Sequence, residues 1–162
     1  MTATIHRKVP PQRLITAMNP LVRVALRSPL HRLLDDAALI LHVIGRKTGH
    51  HYDIPVGFTD LDGRLVVVTQ HRWRRNLRGG VVLDVTRFGR RQRMHADLVA
   101  DPASVADVVE RALRRYGPAD VEHRMGIVMD AAGPSTASEL VDAVREFDLA
   151  VVLLTPAPES GN

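Results

Sequence analysis

The sequence contains no cysteine, few aromatic residues and no long apolar run. The absence of cysteine excludes a disulfide framework, a thiolate metal site and a cysteine nucleophile. One tryptophan, two tyrosines and three phenylalanines are too few for a base-stacking surface, so we expect no nucleic acid partner. No apolar stretch reaches the ~20 residues that a transmembrane helix needs, and the N-terminus lacks the apolar region of a secretory signal. We therefore expect a cytoplasmic protein.

The residues that are present indicate a single globular domain with affinity for anions. A chain of 162 residues with 45% hydrophobic content is long enough to form one ordinary core. The net charge is +4, and arginine is suited to bidentate recognition of phosphate and carboxylate. An alternative use of the arginines is a nucleic-acid surface, which the modest charge disfavours. The arginines that would form this nucleic-acid surface are Arg72, Arg74, Arg75, Arg78, Arg87, Arg90, Arg91 and Arg93.

Residues 1–36 differ from the rest because prolines divide them into short segments. Since proline is tolerated in the first turn of a helix, we predict helices at about 11–18, 20–27 and 29–35. Apolar residues recur on these helices with arginines between them, which predicts an amphipathic segment. One interpretation is a lid packed on the core. The alternative is peripheral contact with a membrane surface.

Short apolar runs from residue 38 onward predict antiparallel strands, since most connections are too short for parallel crossovers. Asp60-Leu61-Asp62-Gly63 and Phe88-Gly89 are typical of turns. The predicted strands are 38–44, 53–59, 64–69, 81–87, 90–100 and 149–155, with one or two helical turns at 72–78.

Two helices are predicted between the last two strands. Asp101-Pro102 is typical of a helix start, and Gly117 of a helix end. A capping-box pattern at Ser135-Thr136 and Glu139 begins a second helix that runs to about Phe147. The predicted fold class is therefore mainly β with helices (α+β): a small β-barrel at 37–156 with N-terminal helices, a late helical insert and a loose tail at 157–162.

The most informative motif is the loop Gly45-Arg46-Lys47-Thr48-Gly49, which lies between two predicted strands. Its glycines permit a tight turn with positive φ. Two cations, a hydroxyl and main-chain N–H groups make such a loop suitable for a phosphate or carboxylate. The alternative is a basic hairpin connection that faces water. We call it the 45–49 loop.

A second basic motif, His71-Arg72-Trp73-Arg74-Arg75-Asn76-Leu77, surrounds the only tryptophan. If this motif lies beside the 45–49 loop, the two form one anion pocket, with Asn76 as a donor and Trp73 as an apolar anchor. The alternative is a solvated basic helix held by one buried tryptophan. No metal is predicted, because the eight histidines show no close metal-ligand spacing. We expect His50 and His51 to be solvated and His42 to be a hydrogen-bonded core histidine.

The order of elements and motifs in this chain resembles that of a known family. The order is the first predicted strand, the 45–49 loop, the strand with Pro55, the Asp-Gly turn, the valine-rich strand and Trp73-x-x-Asn76-Leu77. The family is the deazaflavin (F420)-dependent nitroreductase family, within the flavin-binding split β-barrel superfamily. The resemblance covers about residues 39–100, and more weakly continues to 155. It implies a split barrel that binds coenzyme F420, with FMN as the alternative, and a homodimer is common in the superfamily.

The resemblance also implies where the cofactor binds. The 45–49 loop corresponds to the site of the anionic tail, and residues 54–56 would lie against the ring largely through main chain. Trp73 and Asn76 would lie near the tail, and either His71 or Arg72 would replace a cation of a longer loop. The implied cofactor-binding residues are Arg46, Lys47, Thr48, Gly49, Ile54, Pro55, Val56, His71, Trp73 and Asn76. No side-chain catalyst is implied, since the hydride leaves the cofactor.

The expected function is that of an oxidoreductase. It would transfer a hydride between a deazaflavin (F420) or flavin cofactor and a small hydrophobic acceptor of quinone, enone or nitro type. The alternative is a non-catalytic split-barrel protein that binds a cofactor or a lipid-like ligand.

Overall fold

The computed structural model describes residues 5–7, 38–125, 127–129 and 136–158. The strands are β1 (Ile5–Arg7), β2 (Ala38–Ile44), β3 (His51–Gly57), β4 (Thr59–Leu61), β5 (Arg64–Thr69), β6 (Val81–Arg87), β7 (Arg90–Val99), β8 (Ile127–Met129) and β9 (Ala150–Pro156). The helices are α1 (Pro102–Tyr116), α2 (Pro118–Met125) and α3 (Ala137–Glu146), with a 3₁₀ helix at Arg72–Leu77.

Seven strands form one antiparallel sheet in the order β3-β2-β6-β7-β9-β5-β4, and β1 pairs with β8 in a separate two-stranded sheet. The first and last strands of the large sheet, β3 and β4, are neighbours in the chain, and only Phe58 connects them. A one-residue connection spans at most about 7 Å, so the two edges of the sheet meet at this end. The sheet therefore curls into a half-barrel, and the predicted α+β fold class is confirmed.

Apolar side chains that alternate between the two faces of the strands form two hydrophobic cores. On β9, Val152 and Leu154 point into the half-barrel, whereas Val151 and Leu153 point outward to the helices. The interior core also contains Leu41 from β2 and Val85 from β6, and both side chains are fully buried. The described helices thus cover the β9–β5 side of the sheet and leave the cavity described below on the β2–β6–β7 side.

The predicted helix starts are confirmed by their caps. The Asp101 side chain accepts hydrogen bonds from the main-chain N–H and the hydroxyl of Ser104, at 2.9 and 2.8 Å. These bonds favour the carboxylate and lower the pKa of Asp101 below its ordinary value. At α3, the Thr136 hydroxyl accepts from the main-chain N–H of Glu139. Each cap satisfies a donor that the first turn of a helix leaves unpaired.

Three predictions about elements need correction or extension. The strand predicted at 53–59 begins earlier, at His51, and breaks at Phe58, because the chain crosses there from one edge of the sheet to the other. The short elements β1, α2 and β8 were not predicted, since three to eight residues are too few for a periodic pattern to be decisive. The strand β1 also lies within residues 1–36, where only helices were predicted. The predicted helices at 11–35 lie outside the described residues. Within those residues, no helix combines the length and apolarity needed to cross a membrane.

Candidate functional site

The pairing of β2 with β6 stops before either strand ends, and a cavity lies in the resulting gap. Residues 40–42 pair with residues 84–86, which makes three pairs, although β2 continues to Ile44 and β6 begins at Val81. Among the described residues, the two strands make no pairing beyond this point. The cavity has a volume of about 570 Å³, within the ~300–1,000 Å³ common for small-ligand sites. The unpaired strand edges offer main-chain donors and acceptors to a ligand.

The 45–49 loop forms one end of this cavity. The N–H of Gly49 donates to the carbonyl of Gly45 at 2.8 Å, and the N–H of Gly45 donates to the carbonyl of His50 at 2.8 Å. Gly49 has a φ of 67°, which favours glycine. At Gly45, an added Cβ would lie 3.0 Å from the Thr48 hydroxyl and 3.2 Å from the Tyr52 ring. The loop geometry therefore favours glycine at position 49, whereas a side chain at position 45 would require Thr48 and Tyr52 to shift.

The 3₁₀ helix places Asn76 against the 45–49 loop. Leu77 is 1% exposed and packs in the interior core, and the half-buried Trp73 packs against the same core. These contacts hold the short helix in place, and the Asn76 side-chain oxygen accepts the main-chain N–H of Arg46 at 3.1 Å. The structure thus brings the two predicted basic motifs together at one cavity.

The cavity combines positive charge with exposed apolar surface. Arg46 lies on its loop side and Arg91 and Arg93 lie on β7. Within the described part of the chain, the guanidinium groups of Arg46 and Arg93 have no ion-pair partner. Ile44 and Val82, which also line the cavity, are 56% and 45% exposed. An amphiphilic anion would satisfy both properties, because it neutralises the cations and covers the apolar side chains.

His42 lies at the cavity wall in a hydrogen-bonded chain. Its Nδ1 is 2.7 Å from Asp53 Oδ1, and its Nε2 is 2.8 Å from the Thr86 hydroxyl. Since a carboxylate only accepts, we assign the Nδ1–H tautomer to neutral His42, with the Thr86 hydroxyl donating to Nε2. The side chain of His42 is 9% exposed. The predicted hydrogen bonding of His42 is confirmed, but the prediction of a core position needs correction, because the residue lies on the outer face of β2 at the cavity wall.

Replacing Thr86 with valine is expected to lower the free energy of unfolding by about 1–2 kcal/mol, because His42 Nε2 loses its partner in a mostly buried position. Valine keeps the shape and the strand propensity of threonine, so the effect isolates the hydroxyl. Urea unfolding measures it. Thr155→Val on β9 is the matched control, and an equal effect in both variants would contradict the role of the hydrogen bond.

Five of the predicted cofactor-binding residues lie at the cavity or on its loop, and the other five lie outside it. Arg46, Gly49 and Asn76 line the cavity, and Lys47 and Thr48 lie on the exposed part of the same loop. The remaining side chains lie elsewhere. Ile54, Val56 and Trp73 pack against the interior core, Pro55 is paired with Ile40, and the N–H of His71 donates to the Thr69 hydroxyl at 3.1 Å. The cofactor-binding roles of all ten residues stay predictions.

The arginines beside Trp73 do not contribute to the cavity. Arg74 donates to the main-chain oxygens of Thr69 and Asp148, at 3.2 and 2.6 Å, and pairs with the Asp148 carboxylate at 2.7 Å. It therefore fixes the turn that precedes β9. The positive charge of the cavity comes instead from Arg46 and from β7, whose arginines were considered only for a nucleic-acid surface.

Five cavity residues with ionisable side chains were not predicted as site residues: His42, His51, Asp84, Arg91 and Arg93. Asp84 could have been identified from the sequence, since an acidic residue there interrupts the apolar run of residues 81–85. His51 lines the cavity, whereas the ring of its neighbour His50 contacts the Tyr52 ring at 5.7 Å. The described residues include no cluster of three potential metal ligands.

Comparison with known proteins gives limited information. No protein-family model matches this sequence, and no curated protein sequence matches it. Among solved structures, the chain is similar to the conserved hypothetical protein Rv2991 from Mycobacterium tuberculosis, with 16% sequence identity and a TM-score of 0.43. The similarity covers 82% of this chain and 81% of that chain. A function therefore has to be inferred from the site.

Proposed function

We propose that this chain binds coenzyme F420, or alternatively FMN, in the cavity between β2 and β6. In this proposal it transfers a hydride between the cofactor and a small hydrophobic acceptor of quinone, enone or nitro type. The observation that supports it most directly is the hydrogen bond between Arg46 and Asn76, since it joins the two motifs of the family resemblance at one cavity. Either cofactor, when bound in its reduced form, supplies the hydride.

The residues at the cavity fit an aromatic ring with an anionic tail. Arg46 and Lys47 would hold phosphate or carboxylate groups through charge-assisted hydrogen bonds. Ile44 and Val82 would contact the face of the ring, in place of residues 54–56, which do not line the cavity. This contact would remove two exposed apolar side chains from water. A volume of about 570 Å³ accommodates a ring system, and the tail would extend over the 45–49 loop.

A binding titration with F420 tests the proposal, with FMN in parallel, following the fluorescence of each cofactor. Dissociation constants in the low micromolar range or below for one of them would support it. Absence of binding by both would overturn it. Turnover of an acceptor by the reduced, bound cofactor would then separate an enzyme from the alternative of a non-catalytic binding protein.

Lys47→Ala is expected to weaken cofactor binding by about 2- to 5-fold, because an exposed ion pair contributes up to ~1 kcal/mol. The difference should be larger at low salt, where charges are less screened. Arg64→Ala is the matched control, since Arg64 is an exposed cation on β5, away from the cavity. Equal effects of the two substitutions would indicate general electrostatic attraction rather than contact by the loop.

A further inference from the structure

Asp84 is the one carboxylate among the described residues that line the cavity. The other charged groups there are Arg46, Arg91 and Arg93, and the proposed ligand is itself an anion. A carboxylate in this position repels such a ligand. Besides its ion pair with Arg91, Asp84 would favour ligand binding where the ligand offers a hydrogen-bond donor, because an ionised carboxylate can only accept.

The geometry leaves Asp84 able to accept such a bond. Its Oδ2 already accepts from Nε and Nη2 of Arg91, at 2.9 Å each, which orients the carboxylate. The side chain is 30% exposed, and a carboxylate has about four acceptor positions on its two oxygens. Oδ1 therefore retains capacity for a donor from the cavity.

Guanidinium donors stand beside this acceptor on β7. Asp84 is paired with Arg93 on β7 and with His42 on β2, so the three residues form a row across the sheet. Paired side chains on one face lie about 4.5–5.5 Å apart at Cβ. Arg93 has no ion-pair partner among the described residues, and Arg91 lies two residues from it on the same face. The row thus presents an acceptor next to two guanidinium donors.

An acceptor beside a guanidinium donor complements part of an imide edge, where an N–H lies next to a carbonyl group. The pyrimidine ring of both deazaflavins and flavins has such an edge. Resting on the proposed function, we infer that Asp84 accepts the ring N–H of the bound cofactor, while Arg93 donates to an adjacent carbonyl. The ring then lies over Ile44 and Val82, and its tail points to the 45–49 loop at the other end of the cavity.

Substitution of Asp84 distinguishes this hydrogen-bonding role from a purely electrostatic one, because the two roles predict opposite changes in cofactor affinity. If Asp84 only contributes charge, Asp84→Ala makes the cavity more positive and strengthens binding of an anionic cofactor. If Asp84 accepts the ring N–H, the same substitution weakens binding by about 10-fold or more. Asp84→Asn, which keeps one carbonyl oxygen as an acceptor, should lose less affinity than Asp84→Ala.

The experiment is a fluorescence titration of whichever of F420 or FMN binds the wild-type protein, together with its derivative methylated at the imide nitrogen. We expect the methylated cofactor to bind wild type at least about 10-fold more weakly and to be insensitive to Asp84→Ala. Asp60→Ala, an exposed carboxylate on β4 at the opposite edge of the sheet, is the matched control and should leave both affinities unchanged.

The outcomes distinguish this inference from the proposed function. If the parent cofactor binds but Asp84→Ala binds it equally or more tightly, the inference is wrong and the proposed function stands. If the methylated and parent cofactors bind wild type equally, the same conclusion holds. If neither F420 nor FMN binds wild type, the proposed function itself is wrong. The thermal midpoint of each variant shows whether it remains folded.

Discussion

Replacing Asn76 with alanine is expected to weaken cofactor binding by about 10-fold or more. The Asn76 side-chain oxygen accepts the N–H of Arg46 at 3.1 Å and so connects the 3₁₀ helix to the 45–49 loop. Alanine removes this connection and also removes the amide donor from the cavity. The loop would then have to be ordered by the ligand, and that ordering costs binding free energy. A fluorescence titration with the bound cofactor measures the change.

Asn76→Asp provides the control for that prediction. Aspartate keeps an oxygen that accepts the N–H of Arg46, so the loop connection is retained. It also adds a negative charge beside the proposed anionic tail, and binding should therefore be at least as weak as in Asn76→Ala. Wild-type affinity in Asn76→Ala, or tighter binding by Asn76→Asp, would show that the tail does not lie here.

Leu77→Ala is expected to have the largest effect on stability, lowering the free energy of unfolding by about 2–5 kcal/mol. Leu77 is 1% exposed and fills the interior core at the end of the 3₁₀ helix. Alanine leaves a void there that the surrounding strands can close only in part. Because Asn76 is the preceding residue, the loss of this anchor also loosens the cavity wall. Urea unfolding gives the free energy directly.

Val82→Ala is the matched comparison for Leu77→Ala. Val82 also lines the cavity but is 45% exposed, so its truncation should cost less than about 1 kcal/mol. It should instead weaken cofactor binding, since apolar contact with the ring is lost. A Leu77→Ala variant as stable as Val82→Ala would mean that the 3₁₀ helix is held by other contacts.

Local chemistry made much of the fold predictable. Each of these features is local: the alternation of apolar residues, the Asp62-Gly63 turn and the Asp101 cap each depend on residues that lie close together in the chain, so the sequence shows every residue involved. At the turn, Asp62 and Gly63 have φ angles of 55° and 76°, as the short hairpin requires. The break at Phe58 was not predictable in this way, since it depends on both edges of a curled sheet meeting.

The sequence by itself determined most strands of the large sheet, the two helix caps and the residue types of the 45–49 loop and of Asn76. It also determined that Asp84, Arg91 and Arg93 lie on alternating strand positions. Only the tertiary structure decided that His42, Asp84 and Arg93 form one row, and that β2 and β6 separate just beyond it. The physical reason is that period-two alternation assigns a residue to a face, whereas the position along that face depends on pairing between distant segments.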